Sequence, residues 1–121
     1  LRILIENVLS KYPKIKIYIM HARGGSSNDN IIELMYQYPN LYVDIAVSLW
    51  VDKKCKYYVV DFLKKAKASD LLDRVLYGSD QMVWPEALTY SIDYLNSMTF
   101  LSAVEKQKIF YHNAKTFLGI K

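Results

Sequence analysis

The sequence has few of the features that cross-link small proteins covalently or fix them in a membrane. Cys55 is the only cysteine among 121 residues, so a disulfide scaffold is excluded. No apolar run approaches the roughly 18–20 residues of a membrane span, and no charged-then-apolar leader opens the chain. A single thiol without a leader favours a reducing compartment. We therefore expect a cytoplasmic protein with no membrane partner.

Positive charge is in modest excess but is not concentrated in one segment. The chain has 16 basic and 12 acidic residues, which gives a net charge of +4. Binding to nucleic acid would need a basic patch or stripe, whereas the lysines occur in every segment, on the polar sides of apolar patterns. We expect a solvated lysine-rich surface and no nucleic-acid partner. With 52% hydrophobic residues, the chain is expected to form one domain over residues 1–121.

Helical and extended patterns alternate along the chain. The chain begins with a helical pattern that ends before Pro13. Strands are predicted at 15–20, 41–47 and 74–77, and the helices between them at 28–38 and 55–68. The last predicted elements are a helix that starts near Pro85 and a helical tail between Ser102 and Gly119. Strands that alternate with helices predict an α/β fold with parallel strands and right-handed crossovers.

The residues able to do chemistry follow the predicted strands. Ligands of parallel α/β folds bind beyond the carboxyl ends of the strands. His21 follows the first strand, Ser48 and Trp50 follow the second, and Asp80 follows the third. A histidine and an aspartate in these places are a possible metal-ligand or acid–base pair. The residues alone leave a second interpretation open, in which His21 bonds the backbone at the strand end and Asp80 is a turn or cap residue.

Other candidates have simpler interpretations. Gly24-Gly25 lacks the spacing of a phosphate loop and predicts a tight turn. Asp44 lies within the predicted second strand, where a polar contact inside the sheet layers is its expected role. We expect His112 on the surface or in packing and Cys55 on a helix, and Trp84-Pro85 to line a pocket wall or to pack.

Four motifs occur in a familiar order. They are Tyr-Pro-Lys-Ile-Lys-Ile through His-Ala-Arg-Gly-Gly at 12–25, Tyr-Pro-Asn-Leu-Tyr-Val-Asp at 38–44, Asp-Arg-Val-Leu-Tyr-Gly-Ser-Asp at 73–80, and a closing helix at 105–119 with Asn-Ala and Phe-Leu-Gly. In this order they resemble the C-terminal half of the amidohydrolase-related family, the metal-dependent TIM-barrel hydrolases and decarboxylases close to aminocarboxymuconate-semialdehyde decarboxylase.

The resemblance implies a fold, a metal and a site. The fold would be the C-terminal part of a (β/α)8 TIM barrel, about three parallel βα units with a C-terminal helical tail. Asp80 matches the eighth-strand aspartate, which ligates a divalent metal, with zinc as the expected ion, and accepts a proton from water. His21 matches the sixth-strand histidine, which lies beside or on the metal and acts on the substrate. The implied reaction is hydrolysis or decarboxylation of a small molecule.

The sequence also departs from the family pattern. Arg23 adds a residue before the glycine pair, and residues 81–85 match the pocket wall loosely. Only His21 and His112 are present, so the first-strand His-x-His pair and the fifth-strand histidine are missing. A catalytic metal takes about three protein ligands, and a full barrel needs about 250 residues. The chain also starts at Leu1 without a methionine. We therefore expect a portion of a longer enzyme that is inactive by itself.

Two further interpretations remain open at this stage. In one, the chain is a truncated, non-catalytic α/β module that forms homo-oligomers through two open sheet edges. In the other, it is an unrelated three-layer α/β binding domain in which the motif order is a coincidence.

Overall fold

A computed structural model describes residues 2–22 and 27–120 of the chain. Six α-helices and three strands lie within these two ranges. They are α1 (Arg2–Lys11), β1 (Ile17–Ile19), α2 (Asn28–Gln37), β2 (Leu41–Asp44), α3 (Lys53–Ala68), β3 (Val75–Leu76), α4 (Glu86–Asn96), α5 (Ala103–Gln107) and α6 (Asn113–Leu118). A π-helical turn at Lys108–His112 joins α5 to α6. The predicted alternation of helices and strands is confirmed.

The three strands form one parallel sheet in the order β1-β2-β3. Ile17 pairs with Leu41 at the start of the first ladder, and Val43 pairs with Val75 in the second. All four residues of the central strand β2 are buried. Because parallel strands are covered on both faces, such a strand is apolar nearly throughout. Phe62 and Leu63 of α3 are fully buried in the same core.

The strands are shorter than the sequence pattern predicts. The predicted strand at 15–20 is observed at Ile17–Ile19, that at 41–47 at Leu41–Asp44, and that at 74–77 at Val75–Leu76. His21 (φ 69°) and Val47 (φ 60°) have left-handed backbone conformations soon after their strands. Extended backbone requires negative φ, so each of these residues turns the chain out of the sheet.

One edge of the sheet is covered, and the prediction of two open edges is wrong there. Outward-facing backbone groups of β3 are bonded by the C-terminal helices: Asn113 Nδ2 donates to the Val75 carbonyl at 2.7 Å, and the Tyr77 N–H donates to the Ile109 carbonyl at 2.9 Å. The Val75 N–H donates to the Leu72 carbonyl of the preceding turn. β3 therefore has few groups left to pair with another strand.

The opposite edge differs. Within the described residues β1 has a strand on one side only, and beside it lies a groove of about 500 Å³ that α1 shares. Apolar side chains line this groove, among them Leu4, Val8, Ile17 and Met20. We call it the β1 groove. Leu4 and Met20 keep 65% and 62% of their surface exposed, so the groove is unfilled.

The helix ends follow the cap residues. Ser27 caps α2, and Ser102 and Glu105 form the predicted capping box of α5. Gly119 ends α6 with φ 68°, a conformation that glycine adopts without strain. The predicted helix at 55–68 begins two residues earlier because Asp52 caps it through the Cys55 N–H. Across the described residues, we find no helix of the length and apolarity that crossing a bilayer requires.

Candidate functional site

His21 and Asp80 face each other at the carboxyl-end edge of the sheet. His21 follows β1 after one residue and Asp80 follows β3, and His21 Nε2 lies 3.8 Å from Asp80 Oδ2. The two side chains are 37% and 38% exposed, so a small molecule can reach both. The structure thus brings together the two residues that the sequence singles out. Their chemical roles stay a prediction.

Asp44 lies on the other side of the same imidazole. Asp44 Oδ1 is 3.8 Å from His21 Nδ1 and accepts a hydrogen bond of 2.6 Å from the His21 backbone N–H. The expected position of Asp44 inside a strand is wrong, because β2 ends at this residue. The expectation of a buried polar contact fits, since the Asp44 side chain is 5% exposed. The three groups form a row, Asp44–His21–Asp80, which we call the carboxylate–histidine row.

Two further donors hold the Asp44 carboxylate. The Tyr18 hydroxyl donates to Oδ2, and the Ala46 N–H donates to Oδ1 at 3.0 Å. Partial burial, the hydrogen bond to Asp44 and the negative charge of that carboxylate raise the pKa of Tyr18 well above its usual range. The phenol therefore stays protonated as a donor. Tyr18 of β1 pairs with Tyr42 of β2, and side chains along a strand alternate between the two faces of the sheet. Tyr18 and Asp44 therefore lie on the same face, a relation that requires the register of β1 against β2.

Left-handed backbone conformations cluster around the row. His21 has φ 69°, Ala22 has φ 43° and Asp80 has φ 49°. Residues other than glycine adopt such angles rarely, at a cost of about 1–3 kcal/mol, and they concentrate at functional sites. The turns position the side chains of His21 and Asp80 at the end of the sheet rather than along its faces.

An aromatic group stands beside Asp80. Trp50 Nε1 donates to the Ser79 carbonyl at 2.8 Å, which ties the segment after β2 to the residue before Asp80. The Trp50 and Trp84 rings are 5.9 Å apart, and Trp84 lies 6.5 Å from Tyr90. Trp84 packs against these rings, as expected, and is also 44% exposed, while its place in a pocket wall stays a prediction. We call Trp50 and Trp84 the aromatic wall.

The remaining candidates behave as expected or cannot be assessed. His112 is exposed and packs against the Tyr111 ring at 5.2 Å between ring centres. Cys55 is buried in α3. Arg23 and the Gly24-Gly25 pair lie outside the described residues. Every lysine from Lys11 to Lys115 is exposed or half-buried, in line with the solvated surface that the sequence predicts.

The donor set can be compared with the needs of a metal. His21 Nε2 and Asp80 Oδ2 are close enough for one ion to bind both after a small adjustment, since zinc takes imidazole nitrogen and carboxylate oxygen at about 2.0–2.2 Å. Asp44 faces the opposite ring nitrogen and cannot join them. Over residues 2–22 and 27–120, no group of three His, Cys, Asp or Glu side chains is arranged to hold a metal. The described residues offer two ligands where a catalytic zinc takes three.

The chain matches a known protein family in sequence. A family model described as amidohydrolase matches residues 1–120. No curated protein sequence matches the chain significantly.

Several solved structures share the fold. An uncharacterised TIM-barrel protein from Bordetella bronchiseptica superposes with a TM-score of 0.70 at 24% identity, over 95% of this chain and 38% of its own. An amidohydrolase from Burkholderia multivorans with bound HEPES gives 0.65 at 14% identity, over 97% and 49%. A 2,6-dihydroxybenzoate decarboxylase in complex with 2,6-dihydroxybenzoate gives 0.64 at 16% identity, over 98% and 39%. The chain is thus part of a TIM barrel and spans less than half of these structures.

Proposed function

The chain belongs to the amidohydrolase family, and from this premise we propose that it carries part of the active site of a metal-dependent hydrolase or decarboxylase that acts on a small molecule. The supporting observation is the carboxylate–histidine row. Its imidazole lies between two carboxylates at the edge where parallel α/β folds bind their ligands.

The proposed catalytic residues are His21 and Asp80, and both are also the proposed metal ligands. This family generally binds divalent metals. A bound zinc ion would polarise an oxygen of the substrate as a Lewis acid. In this proposal the Asp80 carboxylate, 38% exposed, would accept a proton from water on the oxygen that the metal leaves free, and His21 would pass a proton at Nε2 only where Asp80, and not that nitrogen, holds the metal.

We propose that the remaining ligands lie on other strands of a complete barrel. Two ligands are too few for a catalytic zinc, and this chain covers only 38% and 49% of two of the similar barrels. The uncovered edge at β1, with its apolar groove, is where a neighbouring strand and helix would pack. The 121-residue chain by itself should therefore show no turnover.

The aromatic wall suggests which part of a substrate lies near Asp80. Trp50 donates a hydrogen bond to the carbonyl of Ser79, the residue before Asp80. The Trp84 ring packs edge-on against the Trp50 ring. A planar or apolar group would gain contact area there, while a carboxylate or carbonyl of the same molecule faces the row. We propose a substrate of that mixed character.

Metal binding by the purified chain tests the proposal. Zinc content by mass spectrometry and zinc titration by calorimetry are measured for the wild type and for His21→Ala and Asp80→Asn. We expect weak binding, well short of the affinity of a three-ligand site. Each substitution should lower the affinity by at least about tenfold, because removing a ligand costs at least as much as removing a residue that supports one.

His112→Ala is the matched control, since His112 is the other histidine and is exposed far along the chain. It should leave zinc affinity unchanged. Equal affinity in all four proteins, or a loss only in the control, would contradict the assignment of His21 and Asp80. Stoichiometric zinc in the wild type, lost in both site variants, would show instead that this chain assembles a metal site without further strands.

The β1 groove supports a second candidate, a non-catalytic module that self-associates. Its exposed apolar side chains would be covered equally well by another copy of the chain. Under this alternative, His21 and Asp80 have no catalytic role. The oligomeric state of the chain, rather than its metal binding, is then the property that tests the function.

A further inference from the structure

We infer that Asp44, held by Tyr18, is a positioning residue that fixes the tautomer and orientation of the His21 imidazole. The inference rests on the proposed function of His21. It concerns a buried carboxylate that neither binds the proposed metal nor reaches solvent, since its side chain is 5% exposed.

Asp44 faces two groups of His21, the backbone N–H and the ring nitrogen Nδ1. Its Oδ1 accepts the His21 backbone N–H at 2.6 Å, which holds the left-handed turn where the strand ends. The same oxygen lies 3.8 Å from Nδ1. Among the described residues Nδ1 is buried and has no hydrogen-bond partner, and 3.8 Å is longer than a hydrogen bond, so the buried, weakly screened charge of Asp44 favours a proton on the nitrogen that faces it.

A proton on Nδ1 decides what Nε2 can do. A neutral imidazole carries its proton on one nitrogen and a lone pair on the other. With the proton held at Nδ1 by Asp44, the lone pair of Nε2 points toward Asp80, available to a metal or to a substrate proton. Histidines at metal sites are oriented in this way by a carboxylate behind them.

Tyr18 fixes Asp44 in turn. Its hydroxyl donates to Oδ2, while backbone N–H groups of His21 and Ala46 occupy Oδ1. The carboxylate is thus bonded on both oxygens and cannot rotate away from the imidazole without losing a buried hydrogen bond.

The test is the tautomer of His21, read from imidazole ¹⁵N shifts of the full chain at about pH 8.5, well above the pKa of a free imidazole. We expect the wild type to hold the proton on Nδ1. Asp44→Ala removes the carboxylate and should abolish that preference. Asp44→Asn keeps an oxygen for the backbone N–H groups of His21 and Ala46 but removes the charge, so it should weaken the preference without the structural effect of alanine. Tyr18→Phe preserves the ring and should weaken the preference.

Two controls are built into the chain. Ser48→Ala removes a hydroxyl that contacts the His21 carbonyl at 3.5 Å and not the ring, so the tautomer should not change. His112 in the same spectra should be identical in all variants. If Asp44→Ala fails to fold, Tyr18→Phe decides the matter. A proton on Nε2 in the wild type, or a tautomer unaffected by both Asp44→Ala and Tyr18→Phe, would overturn the inference.

The readout needs neither metal nor turnover. A positive tautomer result with no zinc binding would refute the proposed metal site and leave the positioning role intact. Zinc binding through His21, together with a tautomer that the substitutions do not change, would support the proposed metal site and refute the positioning role of Asp44.

Discussion

The Asn113 side chain donates a hydrogen bond of 2.7 Å from Nδ2 to the carbonyl oxygen of Val75, the first residue of β3. The same nitrogen donates to the Leu72 carbonyl at 2.7 Å. One buried amide on α6 therefore covers the outer edge of the sheet and joins the end of the chain to its core. The asymmetry of the sheet follows, with one edge covered and the other, at β1, open to a partner.

Replacing Asn113 with alanine should destabilise the chain by about 2–4 kcal/mol, because two buried carbonyl groups lose their donor. Urea unfolding followed by circular dichroism measures the difference. Thr116→Ala on the same helix is the control, since that exposed hydroxyl bonds only the His112 carbonyl, and it should cost less than about 0.5 kcal/mol. Similar losses in both variants would show that Asn113 contributes only helix stability.

A close contact joins the ends of β2 and β3. A Cβ at Gly78 would lie 3.0 Å from the Ala46 Cβ. Gly78→Ala should therefore cost about 1–3 kcal/mol through overpacking. Ala46→Gly in the same chain should recover part of the loss, with a coupling energy of about 1 kcal/mol in a double-mutant cycle. Additive effects of the two substitutions would contradict a direct contact.

The sequence predicts the fold far better than it predicts where the strands end. Alternating patterns, Pro13, the Ser102 capping box and Gly119 are local signals, so the order of elements and several helix ends can be predicted. Strand ends depend instead on backbone turns at His21 and Val47, and although histidine adopts the left-handed conformation more often than valine, neither residue type does so often enough to indicate a turn from the sequence. The cover on β3 depends on Asn113, 38 residues beyond Val75 in the chain, which no periodic pattern reveals.

The sequence likewise predicts some residues of the candidate site and not others. His21 and Asp80 can be found because they follow predicted strands. Asp44 was expected to lie inside a strand, since the apolar pattern continues past it to Val47. Its contact with Tyr18 depends on the parallel register of β1 and β2, which is a relation in three dimensions.

Glu105 should make stability depend on acid pH. Hydrogen bonds from the Ser102 N–H and then from Lys67 lower the pKa of Glu105 from its ordinary 4.5 to about 2. The ionised form is favoured by folding, so its contribution is complete above the unfolded-state pKa and is lost as the pH falls through about 2. Glu105→Gln should cost about 0.5–1 kcal/mol at neutral pH, from the first-turn charge and the exposed ion pair, and nothing near pH 2. Urea unfolding across this range measures it, and a difference independent of pH would contradict the account.

The β1 groove should make the isolated chain associate. Leu4 of α1 is 65% exposed at the groove, beside β1, which pairs on one side only within residues 2–22 and 27–120. Because the other sheet edge is covered, two copies can pair only through the same surface, which closes as a dimer rather than growing into a filament. Sedimentation velocity over a range of concentrations should show a monomer–dimer equilibrium that Leu4→Lys shifts toward monomer by tenfold or more in Kd, an effect of about 1.4 kcal/mol.

Val104→Lys is the matched control for that experiment, because Val104 is similarly exposed, at 63%, but lies on α5 away from the groove. It should leave the equilibrium unchanged. A monomer at all concentrations would remove the self-associating module as a function and leave the groove to a neighbouring strand of a barrel. A dimer that both lysine variants weaken equally would place the contact elsewhere and show only that added charge opposes association.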